Sequence, residues 1–146
     1  MKHKFCLIIF SLSVLFASCE YDPNEGIDHI SPKAYIERDT LEVPKGGSVD
    51  LNAVLKDPSG ISYISLSYSS WKISEELSFE IGKYKNEYTF QTTIIVPTDA
   101  LSEWEEEYIK HDGSRFKIRQ KYHKISLTCL DGVRNSNTFY FYIKAI

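Results

Sequence analysis

From about Ser31 onward, apolar residues recur at every second position between turn signals. Val49, Leu51, Ala53 and Leu55 form the plainest run, and such alternation marks a strand with one buried face. Shorter strands are expected at Lys33 to Glu37 and at Leu41-Glu42-Val43, the latter followed by the turn Pro44-Lys45-Gly46-Gly47. Asp57-Pro58-Ser59-Gly60 has β-turn chemistry and should end the Val49 strand. Over 61–71, Ile64, Leu66 and Tyr68 fall on one side, with Tyr63, Ser65, Ser67, Ser69 and Trp71 on the other. A weaker strand at 77–81 and a strong one at 88–96 follow, the latter rich in β-branched and aromatic residues and stopped by Pro97.

The period then changes. Leu101, Trp104 and Tyr108 stand at i, i+3 and i+7, and Ser102-Glu103-Trp104-Glu105 fits a capping box, so a helix is predicted over 99–110. Alternation returns from Phe116 to Leu130 with a slip in parity. Phe116, Ile118 and Tyr122 share one parity, while Ile125, Leu127 and Cys129 take the other. One extra residue near His123-Lys124 would reconcile them, so a β-bulge is predicted there. Asp131 to Asn135 reads as a loop, and the last strand, 137–146, sets Phe139, Phe141 and Ile143 against Tyr140, Tyr142 and Lys144. About seven strands with turns at this spacing predict an all-β sandwich with one short inserted helix.

The first residues follow a different logic. Met1-Lys2-His3-Lys4 precedes an apolar run from Phe5 to Phe16, about a dozen residues where a membrane-spanning helix needs roughly 20. A basic start, a short apolar run and small residues before a break make an export signal. Leu15-Phe16-Ala17-Ser18-Cys19 resembles a bacterial lipobox, with Phe16 bulkier than the usual residue at its place. The resemblance implies cleavage before Cys19, acylation of its thiol and amine, and membrane attachment by that lipid anchor. The expected organisation is a lipoprotein signal peptide at 1–18, an acidic tether at 19–30 and one domain at 31–146. The stretch Glu20-Tyr21-Asp22-Pro23-Asn24-Glu25-Gly26 resembles the acidic segment after the lipid cysteine in surface-exported lipoproteins of anaerobic gut bacteria, which implies display at the outer membrane.

Processing changes the composition. The chain of 146 residues carries 17 basic and 20 acidic residues; losing Lys2 and Lys4 and no acid leaves 15 and 20, a charge of −5. Of three cysteines, Cys6 departs with the signal and Cys19 is the lipid site, so Cys129 alone remains and no intramolecular disulfide can form. Acids outnumbering bases argues against a nucleic-acid partner.

Three short segments carry a second resemblance. Leu51 to Ile61 looks like the B-to-C hairpin of bacterial immunoglobulin-like domains, Val96-Pro97-Thr98-Asp99-Ala100 like the corner before their strand F, and Ile125 through Asn135 like their F-to-G hairpin. The resemblance implies an immunoglobulin-like β-sandwich, departing from the pattern in the insertion from Leu101 to Arg115. Such domains serve in gut-bacterial lipoproteins as spacers, adhesion modules or glycan-binding modules.

Catalytic signatures are missing from the sequence: no Gly-x-Ser-x-Gly, no phosphate-cradling Gly loop, no His-Glu-x-x-His, no Cys-x-x-Cys. His29, His111 and His123 stand far apart, so neither a metal centre nor a cofactor is expected from their spacing. Cys129 shares the inward parity of Ile125 and Leu127 and is expected in the core. Glu103, Glu105, Glu106 and Glu107 crowd one segment rather than facing across a cleft as glycosidase carboxylates must. Arg115, Lys117, Arg119 and Lys121 form a basic stripe on the next strand, expected to lie near that acidic segment. Asp57, Asp112 and Asp131 sit in loops, where turn formation competes with calcium binding. Asp39-Thr40-Leu41 resembles the short site at which gut anaerobes O-glycosylate exported proteins. The candidate ligand face is aromatic: Tyr63, Trp71, Tyr140 and Tyr142 beside Ser65, Ser67 and Thr128. Flat rings with hydroxyls suit a protein partner or a glycan. The function expected is non-catalytic recognition or assembly with a protein partner, with glycan binding in a polysaccharide-uptake system as the alternative.

Overall fold

The strand that starts at Ser48 runs through the Asp57–Gly60 turn signal without ending and continues to Tyr68. A computed structural model describes residues 28–146; the export signal, Cys19 and the tether up to residue 27 lie outside the described residues. Nine strands follow in order: β1 (Lys33–Tyr35), β2 (Thr40–Val43), β3 (Ser48–Tyr68), β4 (Ile73–Ser78), β5 (Lys85–Ile95), β6 (Trp104–Ile109), β7 (Arg115–Gln120), β8 (His123–Asp131) and β9 (Ser136–Ala145). A single 3-10 turn, Ser69–Trp71, is the sole helical element among the described residues.

The sandwich forms because β3 changes partners at its bend. Its first half pairs antiparallel with β1 and with β5, from Ser48↔Ile95 to Lys56↔Glu87. Its second half pairs with β4 and β8, as in Ile64↔Leu77 and Ile64↔Cys129. The register shifts between Lys56 and Ile61 and again between Ile61 and Tyr63, so the inward parity passes from Leu51, Ala53 and Leu55 to Ile64 and Leu66. A strand that bends through irregular residues can feed both layers of a sandwich. Gly60 makes the bend feasible: its φ is +81°, and a Cβ there would meet the Tyr84 Cβ at 2.7 Å. The expected B-to-C hairpin is therefore a corner in one continuous strand.

The second layer is completed by β9, antiparallel to β8, and by β2, parallel to β9 with Leu41 opposite Ile143. Between the layers lie Leu51, Leu55, Ile61, Ile64, Leu66, Val96, Ile125, Leu127, Phe141 and Ile143, all essentially without solvent contact. The β-sandwich predicted from alternation is the fold observed, with more strands than the seven expected.

Two predicted elements differ. The helix over 99–110 is absent. Pro97 to Ala100 makes a turn, with the Ala100 amide donating to the Pro97 carbonyl at 3.1 Å, and β6 follows as a strand. β6 and β7 form a two-stranded hairpin that pairs with no other strand among the described residues. In that hairpin Glu105 and Glu107 lie opposite Arg119 and Lys117. Diagonal ion pairs join Glu107 to Arg115 (3.3 Å), Glu105 to Lys117 (3.4 Å) and Glu103 to Arg119 and Lys121 (3.6 and 3.2 Å). A helix would crowd four glutamates, whereas the hairpin places the acidic stripe against the basic one, as the expected proximity of the two requires. The parity slip near His123 also has another cause than a bulge. β7 and β8 are separate strands in separate sheets, and Lys121-Tyr122 is the changeover between them.

Candidate functional site

At the end of the sandwich where the hairpin departs, β3 ends in the 3-10 turn, and Lys72 (φ +55°) closes it by donating its amide to the Ser69 carbonyl at 3.0 Å. This turn interrupts the period-two pattern, so Trp71 swings to the side of Tyr68 rather than the outer face of the sheet. Trp71 and Tyr68 rings meet edge to face at 5.4 Å. Between Trp71 and Trp104 sits His123, its ring 4.4 Å from the first and stacked at 4.6 Å on the second. His123 is buried. The Leu101 carbonyl, 2.8 Å from Nε2, can only accept, so Nε2–H donates; Nδ1 then accepts from the Tyr68 hydroxyl, also at 2.8 Å. Burial holds the imidazole below its ordinary pKa, opposed in part by the bond to Leu101. The ring is neutral at pH 7 and both nitrogens are occupied, so it does not offer a free base.

Glu106 lies beside this stack. Its carboxylate accepts from the Tyr108 hydroxyl, from Trp104 Nε1 at 2.9 Å and from Gln120 Nε2 at 3.3 Å. The Tyr108 bond, then the Trp104 bond, holds its pKa below the usual glutamate value. Tyr68, Trp71, Trp104, Glu106 and His123, with Ser70 and Asp99, line a shallow cleft of about 310 Å³. That volume is at the lower end for small-molecule sites. Beyond the cleft the hairpin projects. Every residue from Glu107 to Arg119 is exposed. Its charged face carries the ion pairs above; its other face sets Tyr108 against Phe116, rings stacked at 5.6 Å, and Glu106 against Ile118.

The outer face of the β4-β3-β8-β9-β2 layer holds the remaining predicted residues. Ser65, Thr128 and Thr138 lie in one cross-strand row, with a 3.0 Å bond between the two threonine hydroxyls. Tyr140 and Tyr142 are neighbours at 6.4 Å, but their planes are tilted by 45°. The Lys124 ammonium stands 3.7 Å from the Tyr140 ring centre. Tyr63 is on the same face, opposite Leu130, four residues along β3 from Ser67, whose row contains Tyr140. At about 3.3 Å per residue that is about 13 Å along the strand. The four aromatics expected on one face thus divide: Tyr140 with Tyr142, Tyr63 apart, and Trp71 in the cleft with a partner, Trp104, that the predicted helix had hidden. Thr40 is exposed at the start of β2 and donates to Asp39 Oδ1 at 3.1 Å.

The loop aspartates divide as well. Asp112 sits in the β6-β7 turn, where its Oδ1 accepts from the Ser114 amide and hydroxyl. Asp57 and Asp131 are both buried and meet at the opposite end of the sandwich, joined by Asp28. Cys129 is a free, fully buried thiol, pushed up to about 12 by burial and by the nearby Asp57 and Asp131 charges, so it is a core residue as expected. His29, His111 and His123 do not converge: His111 is at the hairpin turn, His29 near the start of the described chain. No helix among the described residues is long and apolar enough to cross a membrane. No protein-family model matches the chain, and no curated protein matches it.

Proposed function

We propose that this chain is a non-catalytic, lipid-anchored recognition module that engages a protein partner through the β6-β7 hairpin and the aromatic cleft at its base. The observation that carries the reading is the hairpin itself. A two-stranded hairpin is marginal on its own in water, yet this one extends from the sandwich with Tyr108, Ile109, Phe116 and Ile118 all exposed. Aromatic and aliphatic side chains presented on a charged rim match the composition of protein-binding surfaces. The outer sheet face supports a glycan less well, because Tyr140 and Tyr142 are not coplanar and Lys124 already covers one ring.

Attachment rests on Cys19 and the preceding Ala17-Ser18, and the anchor would hold the domain at the bacterial outer membrane, facing outward on its acidic tether. Several acyl chains, each buried CH₂ worth about 0.8 kcal/mol, are ample for stable attachment. Labelling with an alkynyl fatty acid should mark the chain and fail in Cys19→Ser.

The partner reading is tested by placing a photo-cross-linking residue at Phe116 or Ile118 in the full chain in its native envelope, with Tyr142 as comparison. Discrete adducts from the hairpin positions and none from Tyr142 are expected. Adducts from Tyr142 alone, or retention of the chain on a glycan gel that Tyr142→Ala abolishes, would overturn it in favour of the sheet face.

A further inference from the structure

At the end of the sandwich away from the hairpin, three carboxylates converge from parts of the chain far apart in sequence. Asp28 lies just before β1, Asp57 at the bend of β3 and Asp131 at the end of β8, and one carboxylate oxygen from each lies within 4.8 Å of the others. Two of them are almost fully buried: Asp57 is 3% exposed and Asp131 1%. Backbone and side-chain donors satisfy most of their oxygens. Asp131 accepts from the Val133 and Asn135 amides and from Asn135 Nδ2; Asp28 accepts from the Ile30 amide and the Ser59 hydroxyl. Asp57 accepts from the Ser59 amide at 2.8 Å through Oδ1, and its Oδ2 is buried with no hydrogen-bond partner among the described residues.

A buried carboxylate with an oxygen that lacks a donor, clustered with two other carboxylates, is costly unless something positive shares the site. Nor can the acids readily separate, because the turns that carry them are pressed together. A Cβ on Gly132 would stand 2.6 Å from the Ser59 carbonyl oxygen. The N-terminal segment is held to the same loop by Asn135 Nδ2, which donates to the Asp28 carbonyl at 2.8 Å, and to the start of β9 by Asn137 Nδ2, which donates to the Pro32 carbonyl at 3.1 Å.

We propose that Asp28, Asp57 and Asp131 form a calcium-binding site that clamps the entry of the chain into the domain to the β3 bend and the β8-β9 loop. The donor set is hard oxygen throughout, which favours calcium or magnesium over softer metals. Three converging carboxylates of unequal reach suit calcium, which accepts irregular sets of six to eight oxygens at about 2.3–2.6 Å, better than magnesium, which demands near-ideal octahedral geometry at about 2.0–2.1 Å. Water and backbone oxygens would complete the coordination. The clamp would stiffen the junction between tether and sandwich, leaving the hairpin end unaffected.

The test is calcium alone, added to the full chain in detergent after chelation. Saturable heat of binding in the range of extracellular calcium modules, about 0.1–1 mM, and a rise in Tm of about 5 °C at ten times that level are expected. Magnesium at the same concentration should give a smaller rise. Asp57→Asn, which keeps an acceptor for the Ser59 amide and removes the charge, should fold and lose the calcium response; Asp28→Asn, expected to lose it likewise, is the second variant should Asp57→Asn fail to fold. Absence of any calcium-dependent shift in folded wild type, or a shift unchanged in Asp57→Asn, overturns the proposal. So does a wild type indifferent to calcium whose Asp57→Asn variant is more stable, because a shared proton then neutralises the cluster.

Discussion

Strand β8 begins at His123 and ends at Asp131, and the two ends of the sandwich treat a buried polar residue in opposite ways. At the hairpin end, His123 has a donor for Nδ1, an acceptor for Nε2 and an aromatic ring on each side. At the other end, Asp57 has one oxygen satisfied and one orphaned, with two like charges beside it. Burial raises the Asp57 pKa, and the Asp131 and Asp28 charges add to the rise, whereas burial lowers that of His123. The first end is finished by the protein alone. The second is left unfinished among the described residues, and this contrast, rather than depth of burial, is what recommends it as the proposed calcium site.

The comparison is broken most strongly at the finished end. His123→Ala should cost about 3 kcal/mol in urea unfolding, because it empties a stacked position and strands the Tyr68 hydroxyl and Leu101 carbonyl. A loss under about 1 kcal/mol would mean the stack contributes little.

Acid sharpens the contrast next. His123 has a folded pKa below its unfolded value, so the unfolded chain binds the proton more readily, and stability should fall as pH drops through the ordinary imidazole range near 6.5. The slope cannot exceed about 1.4 kcal/mol per pH unit for one proton. Asp57 runs the other way: its folded pKa is raised, so its contribution is favourable below the ordinary aspartate value and is lost as pH rises through the folded one. Urea midpoints measured from pH 7 to 5 should decline in wild type and decline less in His123→Gln.

A smaller effect, of opposite sign, is expected at the unfinished end. Without calcium, Asp57→Asn should stabilise the domain by about 1 kcal/mol, since it removes a buried charge and keeps the Ser59 bond. Destabilisation of that size in chelator would show Asp57 to be satisfied already. The smallest effect belongs to the projecting hairpin. A double-mutant cycle on Glu105 and Lys117, both more than half exposed, should give a coupling of about 0.2–1 kcal/mol.

Strands whose register depends on one buried face were readable in advance. Leu51, Ala53 and Leu55, and Phe141 and Ile143, are buried at alternate positions as their pattern demands, with Val49 and Phe139 partly buried in the same register, because a slip of one residue would turn every apolar side chain outward. Segment 99–110 was not readable, because Trp104 and Tyr108 satisfy a helical spacing while Trp104, Glu106 and Tyr108 satisfy a strand. The choice lay with a partner, the basic strand β7. Trp71 was misplaced for a related reason: the 3-10 turn after Tyr68 breaks the parity that would have carried it to the outer face. With Trp71 went the aromatic cleft, since Trp104 had been assigned to a helix.

Alternation, turn residues and the cysteine count are local properties, and from them alone followed the β-sandwich, the single thiol of the domain and the position of the inserted segment. Only tertiary structure could bend β3 across both layers and stack His123 between two tryptophans. Only it could gather Asp28, Asp57 and Asp131, which are separated by 29 and 74 positions in the sequence, into one cluster. Local sequence decides which side of a strand is buried; which strands lie side by side depends on chain crossings and close backbone contacts that no short window of residues contains.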